Sequence, residues 1–291
     1  MIPYIGKYNT AKVMVDSIDE ATAGQIVSFL NHQAFESGNI VIMPDCHYGA
    51  GSCIGFTQNI GEKLIPNVVG VDIGCGMLAY PIPEKVVDFE KLDNHIRKNV
   101  PFGFNIHQST SDNRQWLSDT DVQKFQSISV RIGQREDKVL ESLGTLGGGN
   151  HFIEVDQAPD GTLWLVIHSG SRNLGMATAQ FHQKIAVEEL ATNGVTGIPK
   201  GLEYLEGKSA VDYLKDMRDA QQYASLNRLF MVRRVMEMFG ISAHEVTLET
   251  SLECVHNYIN FDDRIIRKGA ISAHEGERVV IPLNMRDGII F

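Results

Sequence analysis

Residues 68–77 read VVGVDIGCGM. The run is apolar enough to belong inside a fold, yet it carries Asp72 and Cys75 and is broken by Gly70, Gly74 and Gly76. Glycines inside such a run mark a bend or a close backbone approach. Extended to Tyr80, the stretch reads as an interior strand interrupted by glycines. The fold is then organised around buried strands whose ends present polar side chains, and strand ends are where chemistry concentrates.

The same form recurs along the chain. NIVIMPD, residues 39–45, is a short β-branched run that delivers the glycine-rich CHYGAGSCIGFT. GTLGGGNHFIEV, residues 144–155, goes from a glycine loop into a β-rich segment, and LWLVIHSGSRNLG, residues 163–175, from a strand into a loop. Helical patterns lie between them. Ser17 three residues before Glu20 suggests a capping box for a helix over 17–30, with Ile18, Ala21, Ile26 and Phe29 on one face. Residues 86–99 and 119–142 read as charged surface helices. Residues 211–239 give the longest helical signal, with Met217, Ala220, Ala224, Met231, Val235 and Met238 near a 3.6 period that predicts core packing. Without an internal repeat or a Pro/Ser-rich linker, the chain is expected to be one α+β domain over 1–291, with 192–210 as the alternative boundary.

A chain of 291 residues, 43% hydrophobic, can bury one large core or two modest ones without disulfide staples. Its apolar runs stop short of the ~20 residues of a spanning helix, and the start lacks a basic, then apolar, leader. No membrane partner is expected. Cys46, Cys53, Cys75 and Cys254 show no C-x-x-C pairing, which fits a reducing cytoplasm. The net charge of −10 argues against a surface that binds nucleic acid merely by being basic.

Six places combine a strand end or glycine loop with a metal-binding residue type: Asp72, Cys75, His151, His168, His256, and Asp45 with His47. A lone buried histidine or cysteine is more often a packed core residue than a ligand. Several at strand termini can converge, however, and imidazoles plus a carboxylate and one thiolate suit Mn, Zn, Fe or Co rather than calcium or an iron–sulfur cluster. Two ions sharing the thiolate would serve phosphoryl chemistry. HSGSRN adds an anion-binding pattern through Arg172 and a following helix start, with a tight turn and a solvated arginine as the alternative. Arg264, Arg267, Lys268, Arg278 and Arg286, set among acids, read mostly as a salt-bridged surface, with one or two of them as candidates to line a backbone-binding groove.

MPDCHYGAG, VGVDIGCGM, GTLGGGNHFIEV, IHSGSRNLG, VHNYI and RKGA, in this order from about residue 40 onward, resemble the RtcB family of RNA-splicing ligases. The resemblance implies a single α+β domain with central mixed sheets flanked by helices. It also implies an enzyme using two Mn²⁺ ions and GTP to join RNA 3′-phosphate or 2′,3′-cyclic phosphate ends to 5′-hydroxyl ends, in tRNA splicing or RNA repair. An archease-type activator is the partner implied besides RNA, and a monomer is the default. By motif, Asp72, Cys75, His151, His168 and His256 carry over as metal ligands, with Cys75 bridging. Asn150, His151, Phe152, Ile153, Glu154, His256 and Asn257 would lie against the guanylate, Arg172 would hold phosphate, and Asp45 and His47 would support the ligands from outside.

Two departures stand out. The family's guanylylated histidine lies in an A-P-H-G-A-G-R segment absent from these 291 residues, and His274 in ISAHEGE does not match it. The chain is therefore expected to be a C-terminally incomplete ligase domain. IPLNMRDG, residues 281–288, stands where the family has a P-G-S-M-G type loop, so Pro282, Leu283, Asn284 and Met285 are placed at the nucleotide. The competing readings are a phosphoesterase that uses the same ligands to activate water, and a non-catalytic RNA- or metal-binding fragment.

Overall fold

A computed structural model describes every residue of the chain except Met285, Asp287 and Phe291. In chain order the elements are β1 (Ile2–Ile5), β2 (Thr10–Val13), α1 (Glu20–Leu30), β3 (Ile40–Ile42), β4 (Phe56–Asn59), α2 (Pro66–Val69), β5 (Gly76–Ile82), α3 (Phe89–Asn99), α4 (Ser111–Arg114), α5 (Asp119–Arg131) and α6 (Glu136–Glu141). They continue with β6 (Phe152–Gln157), β7 (Leu163–Ser169), α7 (Arg172–Thr192), α8 (Gly207–Met236), β8 (Leu252–Val255), β9 (Asn257–Asn260), β10 (Ile265–Lys268), β11 (Ile281–Asn284) and β12 (Gly288–Ile290). The fold is α+β. Backbone packing divides it into two compact units, 1–73 with 175–220 and 256–271, and 74–174 with 221–255 and 272–291. Residues 192–210 lie inside the first unit. No helix among the described residues is long and apolar enough to cross a membrane.

The first unit is built on a sheet of order β1-β2-β3-β4-β10-β9, parallel only between β2 and β3. Ile26, Phe29 and Leu30 of α1 join Phe35 and Phe56 in its core, with the Phe29 and Phe56 rings edge to face at 5.3 Å. The start of α1 differs from the expected capping box. Asp19, not Ser17, caps it, accepting from the Thr22 amide at 2.9 Å, because a carboxylate caps as well as a hydroxyl and also suits the positive helix end.

Two of the five cations expected on a salt-bridged surface are interior. β10 is an inner strand between β4 and β9, and Ile266, Arg267 and Lys268 are buried on it. Arg267 is buried against Asp263 at 2.6 Å. Lys268 is buried and donates to the Ser52 carbonyl at 2.8 Å and to that of Ala50, and burial pushes its ammonium down to about 8.

The second unit holds an antiparallel sheet of order β6-β7-β5-β8. β5 is inner, and Gly76 through Tyr80 are buried throughout, as the continuous apolar run predicts. Pro81 follows beyond the last residue paired with β8, Ala79, where β7 is the one partner strand left. The run 68–80 is not one strand, however. Val68 and Val69 form α2, started by Pro66 and closed by Gly70 at φ 93°, and the strand begins only at Gly76. Proline at the first turn and glycine past the last frame a helical turn that apolar content alone conceals. Asp72 and Cys75 therefore sit in the loop that enters β5.

Met217, Ala220, Ala224, Met231 and Val235 of α8 are fully buried, as their period predicts. The pattern over 119–142 is two helices, α5 and α6, parted around Gly133 at φ 71°.

Candidate metal centre

Strand register assembles the centre. Gly76 pairs with Ser169, and Met77 with His168. On the other side of β7, Phe152 pairs with His168. Cys75 immediately precedes β5, His151 immediately precedes β6, and His168 is the penultimate residue of β7, so three side chains distant in sequence share one end of one sheet. Cys75 Sγ lies 3.3 Å from His168 Nε2 and 3.6 Å from His151 Nε2. The imidazole centroids are 5.3 Å apart.

Backbone carbonyls fix both tautomers. His151 Nδ1 is 2.9 Å from the Leu146 carbonyl, and His168 Nδ1 is 3.0 Å from that of Asn150. A carbonyl only accepts, so each Nδ1 carries the proton and each Nε2 turns a lone pair toward the sulfur. One thiol proton cannot satisfy two such lone pairs, whereas a cation can. Ligands about 2.0–2.3 Å from a common ion lie roughly 3.5 Å from each other, the spacing these atoms already have. The donor set thus fits a thiophilic or borderline transition metal, and the carbonyl contacts are the outer support that orients metal-binding histidines.

The residues that hold these loops were not foreseen from sequence. On α8, Asn227 Nδ2 donates to the Thr145 carbonyl at 3.1 Å, the Gly170 carbonyl at 3.0 Å and Ser169 Oγ at 3.1 Å, and its Oδ1 accepts from the Thr145 amide at 3.1 Å. Arg228, fully buried, donates to the Gly74 carbonyl at 2.7 Å and the Ser169 carbonyl at 2.6 Å and pairs with Glu253 at 2.8 Å. These two side chains join the loops before β5, after β7 and before β6. The available signal is an asparagine and an arginine falling on the apolar stripe that Ala224, Met231 and Val235 define. Gly147, at φ 91°, lets the loop pass between side chains: a Cβ there would lie 2.8 Å from His151 Nδ1 and would overlap the Arg172 guanidinium.

Arg172 stands at the start of α7 with φ 54°, and its guanidinium is aimed by bonds from Nε to Thr145 Oγ1 at 2.9 Å and from Nη2 to the Gly103 carbonyl at 2.8 Å. Phe152 packs on His168 with centroids 5.2 Å apart. Asn150 is exposed, and Ile153 packs on the apolar core. Glu154 shares a strand face with Asp156. Burial first and the neighbouring Asp156 second push the Glu154 carboxyl up to about 7, and burial raises Asp156 as well.

Asp72 and His256 fall where the chain passes between the units, at 73/74 and 255/256. In the first unit, Asn257 Oδ1 accepts from the Gly269 amide at 2.9 Å. There too, Asp45 and His47 are exposed, with His47 Nδ1 3.2 Å from the Asp45 carbonyl. Pro282 and Leu283 are exposed on β11, whose last residue is Asn284, and Met285 lies outside the described residues.

The chain is similar to known proteins over most of its length. The family model described as tRNA-splicing ligase RtcB matches residues 27–289. The RNA-splicing ligase RtcB of Escherichia coli strain K12 is 31% identical over 91% of this chain and 72% of its own length. RNA-splicing ligase RtcB2 of another E. coli strain is 29% identical over 84% of this chain and 60% of its own length. The tRNA-splicing ligase RtcB of Pyrobaculum aerophilum is 24% identical over 85% of this chain and 64% of its own length.

Proposed function

Since the chain belongs to the tRNA-splicing ligase RtcB family, we propose that it is an RNA ligase that joins a 3′-phosphate or 2′,3′-cyclic phosphate end to a 5′-hydroxyl end with Mn²⁺ and GTP, in tRNA splicing or RNA repair. The observation that carries the reading is the Cys75 thiol faced by two imidazoles whose Nδ1 protons are held by carbonyls. Cys75, His151 and His168 would hold the metal, with Asp72 and His256 as the further ligands. In sequence, Asp72 is three residues from Cys75, and His256 follows Val255, the residue paired with Gly76.

Bound metal supplies Lewis-acid polarisation of phosphoryl oxygens, and GTP supplies the guanylyl group that activates the RNA 3′ end. The rest is done by side chains of the chain. His151 and His168 present Nε2 as fixed donors and Cys75 acts as thiolate. Arg172, already oriented by Thr145 and Gly103, offers its guanidinium to a phosphate. Asn150, Phe152 and Glu154 would line the nucleotide side. Glu154, poised near neutrality, can meet a purine edge as donor or acceptor. The guanylyl-acceptor role is assigned to no residue of 1–291. We further propose cytoplasmic location, a monomeric state and an archease-type activator, and we treat 1–291 as one ligase domain.

Incubation with Mn²⁺, GTP and a labelled RNA carrying 3′-phosphate and 5′-hydroxyl ends tests the reading. Ligated product from the wild type and none from Cys75→Ala is expected. Release of inorganic phosphate from the 3′ end with no joined product would replace it with a phosphoesterase.

A further inference from the structure

Residues 101–105, PFGFN, form a tight turn in the second unit in which the Asn105 amide donates to the Phe102 carbonyl at 3.2 Å around Gly103 at φ 63°. The turn displays two aromatic rings to water. Phe104 is fully exposed and Phe102 is 51% exposed. Two aromatic faces on one turn make an exposed apolar patch, the kind of surface that a ligand can cover.

The turn is rigid, and it is fastened to the loop that carries the metal histidine. The Leu146 amide donates to the Pro101 carbonyl at 2.9 Å, and the Gly103 amide to the Gly147 carbonyl at 2.7 Å. Farther along, the His107 amide donates to the Glu141 carbonyl at 3.0 Å, and its Nε2 lies 3.2 Å from the Gly144 carbonyl. The Leu146 peptide thus holds the aromatic turn through its N–H while its carbonyl accepts from His151 Nδ1 at 2.9 Å. Arg172 closes the same connection by donating to Gly103. One hydrogen-bonded unit therefore presents a metal-binding imidazole, a guanidinium and two exposed aromatic faces.

We propose that Phe102 and Phe104 are a stacking platform for the unpaired terminal bases of the RNA strand whose 3′-phosphate is held at Arg172 and the metal centre; the proposal rests on the ligase reading. An unpaired base offers a π face whatever its identity, so aromatic stacking suits an enzyme that must hold single-stranded ends. Charge is compatible with this: a net −10 gives a polyanion little general attraction, so base stacking would add to what local cations such as Arg172 contribute.

The test titrates the Mn²⁺-loaded full chain into a 3′-phosphorylated oligoribonucleotide with 2-aminopurine at its terminal position. Fluorescence quenching reports stacking, and anisotropy of a distal label reports affinity. Phe104→Ala is expected to weaken binding roughly tenfold and to remove the quenching, whereas Phe104→Trp retains both. An abasic terminal nucleotide should cost the wild type the same factor and cost Phe104→Ala nothing further, while GTP binding stays unchanged in all variants. Unaltered affinity and quenching in the Phe102→Ala/Phe104→Ala double variant would overturn the platform while leaving the ligase reading intact. So would a loss that persists equally with abasic RNA, or a change in sedimentation with RNA binding intact, which would mark a contact between copies of the chain. Absence of RNA binding by the wild type would remove the ligase reading itself, and the proposal with it.

Discussion

Cys53 and Cys75 are both buried thiols set beside glycines, in GSCIGF and IGCGM, one in each unit. Cys53 packs in an apolar cluster with Phe56, Val68 and Val69, and burial pushes its thiol up to about 12. The cation near it, Lys268, is committed to the Ser52 and Ala50 carbonyls and ties down the loop. Cys75 is as deeply buried, yet it meets the lone pairs of two imidazoles delivered by other strands. A glycine-flanked cysteine by itself is therefore uninformative. What the rest of the sheet aims at it decides whether the thiol is packing or chemistry.

The sharpest way to break the contrast is to remove each sulfur. Cys75→Ala should lower Mn²⁺ or Co²⁺ affinity by at least about a hundredfold and abolish the sulfur-to-cobalt charge-transfer band, because the shared ligand is gone. Cys53→Ala should leave metal binding intact and cost about 1–2 kcal/mol in denaturant unfolding. Equal metal affinities in the two variants would mean that the imidazoles alone form the site. Next in size is Arg228→Met. It strips the Gly74 and Ser169 carbonyls of a charged donor and leaves Glu253 unpaired, so stability should fall by about 3 kcal/mol and metal affinity with it. Intact metal affinity in a destabilised Arg228→Met protein would show that the loops keep their positions without the guanidinium.

The contrast also explains what could be read from sequence. Strands and core helices were legible because their apolar periods are local, as with the buried stripe of α8 and the inner strand β5. The strand-end positions of His151 and His168 were legible for the same reason. Their meeting with Cys75 is a fact of register, Met77 and Phe152 both lying opposite His168; residue types at strand ends raised it only as one possibility, and the family resemblance singled it out. Asn227 and Arg228 were missed because their partners are backbone carbonyls, which no sequence pattern displays. Lys268 was misplaced for a related reason: a charge near acids reads as surface, and the Ala50 and Ser52 carbonyls that hold it in the interior are displayed by no sequence pattern.

A glycine tests whether the loop geometry, not only its ligands, separates the two cysteines. Gly147→Ala demands φ near 91° of a residue with a Cβ, and that Cβ would press on His151 Nδ1. A cost of about 1–3 kcal/mol is expected, with a roughly tenfold loss of metal affinity as His151 turns away from Leu146. Calorimetric melting and metal titration read the two effects separately. Gly149→Ala is the control. It shares the positive φ, 75°, but a Cβ there meets nothing within 4 Å, so it should lower stability with little change in metal affinity.

The smallest expected effect concerns charge on β6, the strand that His151 precedes. Glu154 titrates near 7 in the folded chain because burial and Asp156 disfavour its anion, against an ordinary value of 4.5. Between those two values the folded state binds more protons than the unfolded one, so wild-type stability falls as pH rises from about 4.5 through about 7. Glu154→Gln cannot ionise and should escape that loss. The variant should therefore melt higher than the wild type at pH 8, by on the order of 1 kcal/mol once solvent screening of a half-exposed group is allowed for, and the advantage should close toward pH 5. Asp156→Asn should produce part of the same gain by removing the neighbour that holds Glu154 protonated. If the pH dependence of melting is unchanged in both variants, the two carboxyls do not compete for a proton, and Glu154 meets its ligand as a plain anion.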